Sequence, residues 1–503
     1  MEASFLILVT IFLSISISFL LARKKSRLPP GPLALPWLGN PLWLRASVFD
    51  ITSVLQRVHR KYGPIVTLQL GARTAIFISD RDMAHKALVT LGAAFSDRPA
   101  PNPATSFLHS DEQYTITGGA YGPVWRLFRR NLNSKILHPS RMKLFGPGRE
   151  WVLGLLKKRM YDQLRSSDEG VVVPYDIFLF AQFSLLFLIC FGEKLDEGFI
   201  RKFEGPIRQL LIYERDLEFL AFFPAFSKLI YRSRWKWAVD TARKLEELCS
   251  PLLEARKNYK KNGGENQEIR SYVDSLLELK LPGKDRGLTD SEIMTLTGEI
   301  MTSGTDTTSA SLQWTMANLV RNQDVQKKLH EEIESVSGGE SVEEEELQRM
   351  PYLRAVVLES LRRHPPGHLV LPHAVKEDME FEGYVIPKNV PVNFSVADMG
   401  WDETVWEEPK EFKPERFFGR EHEEVVDMTG SREIKMMPFG AGRRICPGME
   451  LAMLHLQFFV ANMVKEFEWK QVEGEDVDLT EKLEYTVVMK NPLRVRLVPR
   501  KKV

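Results

Sequence analysis

Cysteine is scarce in this chain: three in 503 residues, none in a Cys-x-x-Cys pair. That excludes a disulfide-stapled secreted scaffold and leaves no zinc-knuckle or dithiol spacing, so any cysteine that matters acts singly. An excess of one charge is also missing. The 68 basic and 67 acidic residues leave a net charge of +1, so no global basic field draws in nucleic acid. A dinucleotide fingerprint is absent, because Gly440-Ala441-Gly442 is followed by Arg443, Arg444 and Ile445 rather than by a third glycine. Within residues 41–503 there is neither an internal repeat nor a linker that would divide the chain. What remains, 44% hydrophobic and 27% charged, is the composition of a folded globular protein.

Only one run is long and charge-free. From Ala3 to Ala22 there is no ionisable side chain, and about 20 helical residues span roughly the 30 Å of a bilayer core. Arg23, Lys24, Lys25 and Arg27 follow at once, which places the bulk of the chain on the cytosolic side. A cleaved signal peptide would need its basic residues before the apolar run, so residues 1–22 read as a single transmembrane signal-anchor. Residues 23–40 form a basic and proline-rich linker containing Leu28-Pro29-Pro30-Gly31-Pro32, stiff enough for a spacer, although any proline-rich loop looks the same. The body is mainly α with small sheets. Strand, turn and strand are expected over 62–79, and helices around 122–137, 151–165, 181–191, 235–260, 290–321 and 322–336. Strand-rich patches fall near 369–394 and 484–498. Glu343 to Glu346 reads as an exposed helix face.

One motif outweighs the rest. Residues 438–448 read Pro-Phe-Gly-Ala-Gly-Arg-Arg-Ile-Cys-Pro-Gly, and Met449 opens an apolar helix. A glycine-dense turn there lets the backbone approach a flat ligand, while the helix N-terminus lowers the pKa of Cys446 and stabilises its anion. Arg444 stands within reach of an acidic substituent on such a ligand. A single thiolate with amide donors suits a haem iron. The pattern Phe439-x-x-Gly442-x-Arg444-x-Cys446-x-Gly448 resembles the haem-binding loop of the cytochrome P450 family, in the form typical of its plant microsomal A-type branch. An inert buried cysteine and a Cys–His nucleophile are the competing readings; for the second, His455 is the sole base in view.

Three more sites agree with the resemblance, which then spans almost the whole chain. Glu359 and Arg362 share a helix face, by itself an ordinary surface pair; by resemblance they join Arg416 in a buried structural triad. Met301-Thr302-Ser303-Gly304-Thr305-Asp306-Thr307-Thr308 interrupts a helical stretch with poor helix formers. Thr307 can bond back to the Ser303 carbonyl and open a groove beside Gly304. The resemblance makes Asp306 and Thr307 the catalytic acid–alcohol pair, with Ser303 departing from the family's usual Ala or Gly. Trp125 and Arg129, both donors only, suit a propionate. His373 matches a position that is often Arg and faces a propionate, or else is an ordinary loop histidine.

The resemblance implies one large domain behind the anchor. It carries haem b on Cys446, with Trp125, Arg129, His373, Phe439 and Arg444 as cofactor contacts. The implied activity inserts one atom of O2 into a lipophilic substrate at the endoplasmic reticulum membrane, with the catalytic domain cytosolic. The chain is too short for a fused flavin domain, so electrons come from a separate NADPH-cytochrome P450 reductase. Arg129, Arg130, Lys135, Lys435 and Arg443 are candidates for its docking patch. Phe107, Leu108, Phe219, Phe222, Ser303, Leu369 and Val487 are expected around the substrate, with core packing the alternative at each. A haem-thiolate isomerase or dehydratase, or a haem sensor, would not need the Asp306-Thr307 pair.

Overall fold

A computed structural model describes residues 27–34, 39–40, 51–70, 73–100, 114–167, 170–220, 232–262, 271–418 and 426–500. The expected anchor lies outside them, and among the described residues no helix is long and apolar enough to cross a membrane.

The fold is built around two helices that cannot face water. Tyr175–Phe191 is apolar around its whole circumference, and every residue of it but Asp176 is buried. Gly192, at φ +76°, ends it in the left-handed conformation. Against it lies the 32-residue central helix Asp290–Arg321. This helix starts at a capping box in which the Glu292 amide donates to Thr289 Oγ1 and the Thr289 amide donates to the Glu292 carboxylate. The two pack closely at Gly304, where a Cβ would sit 3.0 Å from Leu186. Helices Pro123–Lys135, Gly146–Ser166, Arg232–Lys261, Gln323–Val336, Pro351–Arg363 and Met449–Glu466 complete the body. One apolar core reaches from Tyr114 to Leu497, as a single domain requires.

The sheets are small and peripheral. Ile65–Leu70 pairs antiparallel with Arg73–Ile78, in the register Ile65 to Ile78, and Arg73–Ile78 pairs parallel with Val392–Phe394. Phe467–Lys470 and Val171–Val172 flank Val495–Pro499. The hairpin of Glu481–Leu483 and Val487–Met489 stands apart and reaches the central helix.

Most expected elements appear near their predicted bounds. Helix Glu197–Leu220 was not foreseen, because Pro206 inside it masks an apolar face of Ile200, Phe203, Ile207 and Leu210. The acidic run is not a free face: Glu344 accepts from the guanidinium of Arg149, which is wholly buried. Nor does the proline-rich segment hang as a spacer. The Thr67 amide donates to Pro30 O at 2.8 Å and the Asn40 amide to Gln69 O at 2.8 Å. Gly31 approaches so closely that a Cβ would lie 2.0 Å from Thr67 O. Strand Ile65–Leu70 therefore continues its pairing onto this segment.

Candidate active site

Cys446 is placed by a loop that has no room for a side chain at Gly442. Gly442, at φ +70°, lies where a Cβ would meet Leu88 O at 1.9 Å, so only glycine allows that contact. The Cys446 amide donates to Phe439 O at 2.8 Å, closing the loop two residues before the Gly448 cap of helix Met449–Glu466. The other cysteines, Cys190 and Cys249, are buried in the core. Beside the loop a cleft of about 460 Å³ is bordered by Leu137, Gly442, Ile445, Cys446 and Met449.

The thiol does not behave as the helix terminus alone predicts. Burial pushes the Cys446 pKa up, and the Gly448 amide and the Arg129 charge only oppose that shift. Desolvation wins because the helix end offers partial charges whereas the sulfur anion is a whole one. A coordinated metal cation would reverse the balance, since a ligating thiol is deprotonated outright. Arg129 donates to Ile445 O at 2.6 Å and so braces the loop from helix Pro123–Lys135.

A cationic cluster faces the same loop. Arg444 donates to Ser96 O, Ile116 O and Gly119 O at 2.8, 3.2 and 2.7 Å and lies 4.4 Å over the Trp125 ring. The Trp125 indole donates to Ile116 O at 2.9 Å. Arg98 donates to Thr117 O, Leu371 O and Pro372 O. Burial holds Arg98 down to about 9, with Arg444 as the next cause, and burial holds Arg444 down to about 10. His373 Nδ1 donates to Phe95 O at 2.7 Å, and burial followed by Arg98 lowers its pKa to about 3. Both guanidinium groups thus bond only carbonyl oxygens, a charge balance that an anion would complete. Arg98 escaped the sequence reading because it sits outside the cysteine motif; its neighbour Pro99 and the buried Phe95 were the available signal.

On the central helix Thr307 Oγ1 donates to Ser303 O at 2.6 Å, as the spacing predicts. The helix nevertheless stays α throughout, without a bulge. Ser303 is exposed and Thr307 half-buried, whereas Asp306 is buried and turned away. Glu299, unforeseen, accepts from the amides of Ile116 and Thr117 at 2.8 and 2.6 Å.

The expected triad forms, with Glu359 and Arg362 fully buried and Arg416 half-buried. Arg362 Nε and Nη2 donate to the two Glu359 oxygens at 2.7 and 2.9 Å, and Arg416 Nε donates to Glu359 Oε1 at 3.3 Å. Arg362 also donates to Gly400 O and Pro409 O, joining helix Pro351–Arg363 to the 400–416 loops.

Other expectations fare unevenly. Leu369 packs on the core of Val54, Leu68 and Phe77, and Val370 is the residue near Gly440. Val487 is buried. Phe107, Leu108 and Phe222 lie outside the described residues, as does the side chain of Phe219. His455 is no base for Cys446: it is buried against Phe459, and Arg149 contributes to its shift. Of the docking candidates, Lys435 pairs with Glu433 and Arg443 with the Tyr121 hydroxyl, while Arg130 is exposed.

Residues 29–497 match the family described as Cytochrome P450. The chain belongs to the cytochrome P450 family. It is 42% identical to Cytochrome P450 89A9 of Arabidopsis thaliana, with 99% of each chain covered. It is 30% identical to Geraniol 8-hydroxylase of Swertia mussotii, covering 97% of this chain and 99% of that one. The Catharanthus roseus protein of that name is 31% identical over 94% of each. As a cytochrome P450 the chain is a monooxygenase that binds haem b through a cysteine thiolate. The close-approach glycine, the half-buried thiol and the guanidinium groups that hydrogen-bond only carbonyl oxygens fit that cofactor.

Two outcomes follow from this geometry. Glu359→Gln leaves the Arg362 guanidinium buried without its carboxylate and costs about 3–5 kcal/mol; the check is the thermal midpoint together with haem retained per chain. His455 has a folded pKa of about 3 against an ordinary 6.5, so its unfolded state alone takes up a proton between those values. Stability then falls with pH across that window, and His455→Phe reduces the acid slope by up to about 1.4 kcal/mol per pH unit, read from denaturant titrations at pH 6.5 and 4.5. His373 and His364 retain their own shares.

Proposed function

We propose that this cytochrome P450 is held on the endoplasmic reticulum membrane by residues 1–22, with its catalytic domain, residues 41–503, in the cytosol. It draws electrons from a separate NADPH-cytochrome P450 reductase and places one atom of O2 in a small lipophilic substrate. The seat of Cys446 carries the reading. It is the one cysteine outside the core, on a loop where Gly442 has no room for a side chain and beside two guanidinium groups that hydrogen-bond only carbonyl oxygens.

Bound haem supplies the one-electron and dioxygen chemistry. The chain supplies the surroundings. Cys446 Sγ would hold the haem iron, its anion helped by the Gly448 amide and the Arg129 charge. Arg98 and Arg444 would receive the propionates, with Trp125 stacked beneath Arg444 and Phe439 closing the loop; His373, neutral and with its one N–H spent on Phe95 O, would line that edge without donating to them. Thr307, whose proton is committed to Ser303 O, leaves its oxygen lone pairs on the open helix face to accept a proton, and Asp306, whose carboxyl bonds Thr486 and Tyr175 in this structure, is the acid that family membership pairs with it. The triad of Glu359, Arg362 and Arg416 is structural. Two relatives named Geraniol 8-hydroxylase support a lipophilic substrate. The charge-free run followed by four basic residues supports the anchor and its orientation. Arg130 and Lys135, on the helix that borders the Cys446 cleft through Arg129 and Asn133, and Arg443, next to Gly442 at its edge, support a basic docking face.

The reduced full-length protein with carbon monoxide is expected to give a strongly red-shifted Soret band that Cys446→Ala abolishes; a well-folded wild type that binds haem without the shift removes Cys446 as ligand. Reversing Arg130 and Arg443 to Glu is expected to slow reduction by the reductase at low salt and to flatten its salt dependence in stopped-flow traces. An unchanged slope rejects the docking face.

A further inference from the structure

One carboxylate gathers side chains from separate stretches of the chain. Glu481, which opens the hairpin strand Glu481–Leu483, accepts from His364 Nδ1 at 2.7 Å, and His368 Nε2 lies 3.0 Å from its other oxygen. His368 Nδ1 is 2.8 Å from the Thr52 hydroxyl on helix Ile51–Tyr62. The His364 ring stacks on Trp314 of the central helix, with 4.0 Å between ring centroids and 4° between planes. The Trp314 indole donates to Val487 O at 2.9 Å, and the Val487 amide donates to Pro366 O at 2.8 Å. The 364–370 loop and the 481–489 hairpin are thus closed on each other at two places, one of them ionic. That loop leads to the cysteine loop, because Val370 is the residue near Gly440.

The two histidines are not equivalent. His364 is buried and its Nε2 has no partner, so a second proton there would be a buried donor with nothing to bond. Burial, opposed by the bond to Glu481, brings its pKa down to about 4 and keeps the ring neutral. His368 Nδ1 instead faces a hydroxyl, which donates to a bare nitrogen and accepts from a protonated one. Its Nε2 approaches Glu481 without the alignment of a hydrogen bond, so the attraction across that gap is chiefly one of charge. Both side chains keep an edge in solvent, from which the second proton comes. Glu481 stays anionic: burial raises its pKa, but the bonds from His364 and His368 outweigh burial and hold it well below the usual carboxylate range.

We propose that His364, His368 and Glu481 form a proton-operated clasp that regulates access to the haem face: a protonated His368 holds the 364–370 loop on the 481–489 hairpin, and its loss of charge as pH rises lets them part. Histidine is the side chain whose charge changes between about pH 5 and 8. The clasp rests on reading Cys446 as the seat of the haem. The other charged and titratable groups facing it are Arg363 beside His364, Asp398 with His59, and Glu484 of the hairpin with its partners Lys482 and Arg208. Lys410 faces it as well, 3.1 Å over the Trp401 ring, which His368 meets edge-on at 5.3 Å. Burial followed by Arg363 brings Lys410 down to about 8, so its titration overlaps the same range and needs its own control.

The test is hydrogen–deuterium exchange of the full-length haem-loaded protein at about pH 6 and about pH 8.5, corrected for the intrinsic pH dependence of exchange. Peptides covering 364–372 and 481–490 are expected to exchange about fivefold faster at the higher pH in the wild type. His368→Gln is expected to exchange fast at both, His368→Arg slowly at both, and Lys410→Met like the wild type. Glu481→Gln is expected to match His368→Gln, and the His368 variants decide the matter if it does not fold. Carbon monoxide rebinding after flash photolysis of the reduced protein reads access. It is expected to quicken severalfold between the two pH values in the wild type and to stay flat in His368→Gln. A wild-type exchange that ignores pH, or a response that survives His368→Gln or vanishes in Lys410→Met, overturns the clasp. The expected exchange pattern with flat rebinding overturns its control of access. Failure of the underlying haem reading is distinct: the red-shifted Soret band would then be missing at both pH values, whatever the exchange does.

Discussion

A thiolate inside a protein is stable only beside compensating charge, and the surroundings of Cys446 are arranged around that requirement. Burial by itself keeps the thiol protonated, so the Gly448 amide, the Arg129 charge and a metal cation must together outweigh desolvation. The same logic explains the other face of the loop, where Arg98 and Arg444 spend their donors on backbone carbonyls and feel the Asp97 and Glu299 carboxylates only at longer range. An anionic, flat, metal-bearing group completes both halves at once.

Holding such a site open costs stability, and the surrounding fold supplies it. The wholly buried pair of Arg362 and Glu359 fastens helix Pro351–Arg363 to the loops at Gly400 and Pro409. This is a network whose value lies in fixing geometry, since buried ion pairs contribute little net energy against their desolvation. The all-apolar helix Tyr175–Phe191 gives the central helix a partner that cannot turn outward, and Gly304 lets the two approach. The open face of Ser303 and Thr307 is thereby kept in one orientation.

Local signals carried much of this. The strands over 65–78, the six predicted helices and the cysteine loop were legible because apolar period, capping residues and glycine spacing act within a few residues. The triad partner Arg416 was legible only through family resemblance, since nothing local ties residue 416 to residue 359. Helix Glu197–Leu220 was hidden by Pro206. Glu344 looked like part of a solvated charge run because its partner, Arg149, is 195 residues away.

The chain's sequence by itself determined that there is one usable thiol, that it opens a helix from a loop only glycine can form, and that Thr307 bonds back to Ser303. Each is a matter of chemistry within a turn or two of backbone. The tertiary structure alone decided which way each group faces. Asp306 points to Thr486 and Tyr175 rather than to its neighbour, Leu369 serves the core, His455 faces Arg149, and burial overrides the helix end at Cys446. Orientation and desolvation depend on what packs against a residue from distant parts of the chain, and no local pattern encodes that.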